Sequence, residues 1–159
     1  MKQGLGTQLR HLIELLDGAV EQSYADAGLD YRPRYTPVMK ALLAREPLTV
    51  GDIAAQAGIT QPAATQTVAL MIKQGLLTAT TGQHDGRQKM IKLSKSGRAL
   101  LAQIQQCWQA TTAAANSLDA QLPYPLSTAL ADAIAALEHQ PFGERIRAAR
   151  TAADGVPPG

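Results

Sequence analysis

The chain has 159 residues, 45% of them apolar but only 4% aromatic, with a net charge of +2. That length admits one domain, or one lobe with a helical extension. The composition argues against a large sheet, favours helices, and implies a core of Leu, Ile, Val, Met and Ala. Apolar runs are too short to cross a bilayer, and residues 1–30 carry acids within their apolar pattern, so neither a membrane span nor a signal peptide is expected. A single cysteine, Cys107, excludes an internal disulfide framework and points to the cytoplasm. The charge is unevenly spread. From Ile53 to Leu118 six Lys and Arg residues face one acid, Asp85, a net +5 that leaves the rest of the chain at −3. A polyanion would meet the middle of the chain and be repelled by its ends.

The first predicted element is a helix over 5–20, where Leu5, Leu9, Leu12, Leu16 and Val20 form one apolar stripe. Gly28 and Arg32-Pro33-Arg34 interrupt it, Thr36-Pro37 opens a short helix through about Ala44, and Pro47 closes that element. Thr49 with Asp52 three residues on predicts a capped helix from Val50 to about Ala57, with Gly58 in the left-handed closing position. Thr60 caps a second helix running to about Gln74 and stopping at Gly75, with Pro62 in its first turn. Its apolar side is Ala64, Val68, Met71 and Ile72.

Two short helices joined by a glycine-containing turn read as a helix-turn-helix. A β-prone run from Leu76 to Thr80 and an alternating run from Lys89 to Leu93 follow, separated by the polar loop 81–88, and predict a hairpin. Ser94 caps a long helix to about Leu118. A last helix lies between about Pro125 and Glu138, with Leu126, Leu130, Ile134 and Leu137 on its inner side. A helical turn near Glu144 to Arg150 precedes a frayed tail.

This ordered set resembles the MarR family of bacterial transcriptional regulators. The residues that carry the resemblance are 48–54 and 58–62, the helix ending 71–77, Asp85-Gly86-Arg87, and Leu93-Ser94 with Gly97 and Leu100-Leu101. The resemblance implies a mainly α fold, a winged helix-turn-helix with a two-stranded β-wing plus N- and C-terminal dimerisation helices. On that basis residues 1–30 and 100–150 form the dimerisation region, 31–99 the DNA-binding domain and 151–159 a flexible tail. It also implies a homodimer on double-stranded, pseudo-palindromic operator DNA, acting as a repressor and released by a small aromatic or phenolic ligand.

The candidate DNA-binding residues are Thr60, Gln61, Ala63, Thr65, Gln66 and Lys73 on the recognition helix, with Arg87 and Lys89 in the wing. Gln can pair with adenine and Thr can touch a thymine methyl in the major groove. An arginine at a wing tip suits a narrow minor groove. Asp85 is expected to brace the wing loop, and Lys89, Lys92, Lys95 and Arg98 to include phosphate contacts. Gln66, Thr78 and Thr80 stand where relatives often carry basic residues. His11, His84 and His139 are too scattered for a metal motif, and no nucleotide or hydrolase fingerprint is present, so no metal, cofactor or enzymatic role is expected. Two alternatives remain open at this level: a winged-helix module that binds a protein, and a regulator switched by oxidation of Cys107. A structural Cys107 is the favoured reading, since no basic residue lies within a turn of it.

Overall fold

A computed structural model describes residues 3–82 and 87–155. The elements run α1 (Leu5–Asp26), α2 (Thr36–Ala44), α3 (Val50–Ala57), α4 (Gln61–Lys73), β1 (Leu77–Thr81), β2 (Lys89–Leu93), α5 (Lys95–Gln121), α6 (Leu126–His139) and α7 (Phe142–Asp154), with one 3-10 turn at Pro33–Tyr35. The mainly helical winged fold expected from the sequence is present. The chain divides into two compact units, residues 1–109 and 110–159.

Local chemistry sets the helix-turn-helix in the first unit. The Thr49 hydroxyl accepts the Asp52 N–H at 3.1 Å while the Asp52 carboxylate accepts the Thr49 N–H at 3.3 Å, so Asp completes a reciprocal capping box. Gly58 closes α3 at φ 68°, in the left-handed region that disfavours a Cβ. Thr60 then accepts the Ala63 N–H at 3.3 Å to start α4.

The hairpin pairs Leu77 with Leu93 through to Thr81 with Lys89. It begins one residue later than expected because Leu76 still closes α4, donating its N–H to the Met71 carbonyl at 2.9 Å. The Leu76 carbonyl accepts from Ser94 N–H at 3.0 Å, and a Cβ on Gly97 would lie 2.3 Å from that oxygen. Only glycine allows the first turn of α5 to sit so close. On its other edge β2 meets Leu48, which exchanges two backbone hydrogen bonds with Ile91. A one-residue bridge has no period, and the sequence pattern does not reveal it.

Ile91 and Leu93 point into a core shared with Val38, Met39, Leu42, Ile53, Val68, Met71 and Ile104. One expectation needs correction here. The core is not purely aliphatic, because three of the four tyrosines, Tyr24, Tyr31 and Tyr35, are buried in it. Their rings meet edge to face at 4.7 and 5.5 Å, the arrangement that aromatic quadrupoles favour. A low aromatic count says nothing about where those large rings go. Burial pushes the Tyr31 hydroxyl above the usual tyrosine range, so it stays neutral, 3.2 Å from the Thr36 hydroxyl. Leu100, Cys107 and Trp108 lie along α5 at helical spacing around Ile104 and rest on the same core.

Apolar residues on α1 behave differently. Val20 packs on the core, but Leu5 is 66% exposed, and Leu9, Ile13, Leu15 and Leu16 are exposed with it. In the second unit α6 and α7 bury none of their residues. The start of α6 is capped from a distance: the Asp119 carboxylate accepts the Ser127 N–H at 3.3 Å and the Ser127 hydroxyl, which holds Asp119 below its usual range. Arg145 donates to the Gln140 and Ala136 carbonyls at 3.0 and 3.1 Å, satisfying the end of α6. That junction launches α7 as a 13-residue helix where the sequence suggested a single turn near Glu144 to Arg150, so helix extends into the expected tail. Residues 156–159 lie outside the described residues, as do wing-loop residues 83–86, including His84, Asp85 and Gly86.

Candidate nucleic-acid interface

Helix α4 buries Ala64, Thr67, Val68 and Met71 and exposes Gln61, Thr65, Gln66 and Lys73. Its first two turns therefore present hydrogen-bonding side chains on the outer face. Thr60 is exposed but its hydroxyl serves the helix cap, and Ala63 is half-buried. The Thr65 hydroxyl donates back to the Gln61 carbonyl at 2.9 Å, so toward a partner it offers its methyl and an acceptor oxygen. Lys73 ends the helix about 18 Å along the axis from Gln61, at 1.5 Å per residue. It is not brought together with the other candidates.

Arg87 and Lys89 are exposed on the second arm of the wing. A cleft of about 390 Å³ is lined by Thr49, Val50, Gly51, Gln61, Arg87, Gln88 and Lys89. It gathers the N-terminal ends of α3 and α4 beside the two wing cations, so amide and cationic donors face one space. Lys92 and Lys95 are exposed further along the basic run. The Asp85 brace lies outside the described residues.

Arg98 departs from its expected phosphate role. It forms an ion pair with Glu46, whose carboxylate also accepts the Leu93 N–H at 3.0 Å. The Arg98 charge is thus balanced at the base of the wing, where it ties the α2–α3 connection to the end of β2. Glu46 is remote in sequence and no local pattern announces the pair.

A second residue passed over in the sequence is Arg34, whose Nη2 donates to Gln66 Oε1 at 3.3 Å and to Thr67 Oγ1 at 3.2 Å. Arg32-Pro33-Arg34 reads locally only as a helix breaker. The fold carries Arg34 onto the recognition helix. Cys107 is half-buried against the core.

A helix-turn-helix followed by a hairpin, with polar groups on the second helix and cations on the hairpin, is the architecture of winged-helix DNA-binding proteins. Residues 29–88 match a model of the MarR family. Among solved structures, the chain is similar to the M. tuberculosis transcriptional regulator MOSR in complex with DNA, at 20% identity and a TM-score of 0.68, covering 88% of this chain and 100% of that one. The S. aureus MepR–DNA complex matches at 16% identity and a TM-score of 0.68, covering 87% and 98%. Bordetella bronchiseptica BpsR, whose DNA binding is regulated by 6-hydroxynicotinic acid, matches at 18% identity and a TM-score of 0.67, covering 86% and 94%. At these identities the likeness is one of fold. No curated protein sequence matches significantly.

Proposed function

We propose that this protein is a cytoplasmic regulator of transcription that binds a pseudo-palindromic operator as a homodimer and acts as a repressor. The observation that carries the reading is the cleft joining Gln61 of α4 to Arg87 and Lys89 of the wing. In this reading α4 enters the major groove, where Gln61, Thr65 and Gln66 meet base edges and Thr60 and Ala63 lie at the helix start. Arg87 and Lys89 follow the backbone toward the minor groove, and Lys73 reaches flanking phosphate. No catalytic step is part of the proposal.

The large apolar residues that α1, α6 and α7 leave exposed support the homodimer, because contiguous apolar surface is a mark of protein–protein contact. A small aromatic or phenolic ligand that releases DNA fits the same reading.

Titration against preferred and scrambled duplexes at several salt concentrations tests the division of labour. Gln61→Ala is expected to cost about 1–3 kcal/mol on the preferred duplex and much less on unrelated DNA. Arg87→Ala is expected to weaken both and to flatten the salt slope by about one unit. Duplex binding that ignores salt would instead favour a winged-helix module with a protein partner.

A further inference from the structure

Arg34 stands on the 3-10 turn between two buried anchors, Tyr31 and Tyr35, and Pro33 restricts the backbone just before it. Its side chain is exposed and lies against α4 through Gln66 Oε1 and Thr67 Oγ1. Thr67 is buried, so one of the two acceptors is part of the core and fixes where the guanidinium sits. Among the described residues no carboxylate pairs with Arg34. Among those residues its positive charge is not neutralised by an ion pair beside the recognition helix.

A guanidinium has five N–H donors and no acceptor. The Gln66 amide must face it with oxygen, whichever way the amide is otherwise turned, and its NH₂ is left for another partner. An unrestrained glutamine reads adenine with both ends, accepting from N6 and donating to N7. Here a base donor that reached Oε1 would have to share that oxygen with a cationic N–H. Guanine offers N7 and O6, and thymine offers O4, all of them acceptors.

We infer that Arg34 is a positioning residue that turns Gln66 into a donor-presenting reader, selecting guanine or thymine over adenine at the base it meets. The inference rests on the operator-binding reading above and adds a base preference to it. The cation works in the same direction as the amide, since the acceptor-rich edge of guanine is the most favourable neighbour for both.

The test is selection from a randomised duplex pool, followed by titration of single-base variants of the selected duplex at fixed salt. Four proteins are compared: the parent, Gln66→Ala, Arg34→Ala and Arg34→Lys. Gln66→Ala marks the position read, because base preference flattens there. At that position the parent favours guanine or thymine, and Arg34→Ala raises adenine relative to guanine by about tenfold, the low end of one bidentate contact. Arg34→Lys keeps a donor over the carbonyl and so keeps the parent's order. A uniform loss of affinity in Arg34→Ala with unchanged base order overturns the inference, as does equal behaviour of the Ala and Lys variants, or a Gln66→Ala profile identical to the parent's. A parent with no salt-dependent duplex binding overturns the operator reading itself. Unchanged base order on a parent that binds overturns this inference alone.

Discussion

The winged lobe and the C-terminal helices use similar aliphatic residues under different circumstances. In the lobe, Val38, Met39, Ile53 and Ile91 are essentially sealed, because α2, α3, α4 and the hairpin converge around the tyrosine cluster. In α6, Leu130 and Leu137 are exposed and Ile134 is 58% exposed, although they recur at the spacing of an inner helix face. What orders α6 and α7 in this unit is polar: Asp119 on the first turn of α6 and Arg145 on its last carbonyls. An apolar stripe thus records that a surface is meant to be covered. It does not record whether the cover comes from the same chain.

The sharpest separation of the two regions comes from a cavity in the lobe. Ile53→Ala removes a fully buried side chain from α3 and is expected to cost about 2–5 kcal/mol in denaturant unfolding. A loss below about 0.5 kcal/mol, within the range of surface substitutions, would mean that the lobe core is not the closed unit described. Ile134→Asp sits next in size. It should leave lobe folding intact while weakening self-association by about 1.5–3 kcal/mol, the value of one buried isoleucine, read as a shift toward monomer in sedimentation. Unchanged mass at all concentrations would remove α6 from the interface and blur the comparison.

The smallest effect concerns the cap on α6. Asp119 has a folded-state pKa held below its ordinary value of 3.8, chiefly by the Ser127 hydroxyl. Its contribution is therefore present above that ordinary value and is lost as pH falls through the depressed one. Thermal melts of the parent and Asp119→Ala should differ at neutral pH and converge in acid, with the gap narrowing at high salt because the carboxylate is exposed. A gap that does not depend on pH would show that the carboxylate charge is not what holds the start of α6.

Much of the lobe was legible because its signals are local. The Thr49–Asp52 capping box, Gly58, Thr60 with Pro62, the alternation of β2 and the Ser94–Gly97 start of α5 each act within three or four residues. The outward candidates Gln61, Thr65, Gln66, Arg87 and Lys89 do lie on exposed positions. Their groove roles remain for the titrations above, since exposure alone does not assign them.

The remainder turned on pairs far apart in the chain. Leu48 with Ile91, Glu46 with Arg98, and Arg34 with Gln66 each join elements that fold together only when the core forms. Capping, turn chemistry and helical periodicity are short-range effects, governed by hydrogen bonds and sterics within a turn of the chain, and residue order alone states them. Which arginine is neutralised by Glu46 and which rests on the recognition helix depends on three-dimensional proximity. Burial of Tyr31 and Tyr35 sets that proximity for Arg34, and the packing of α5 against Leu76 sets it for Arg98.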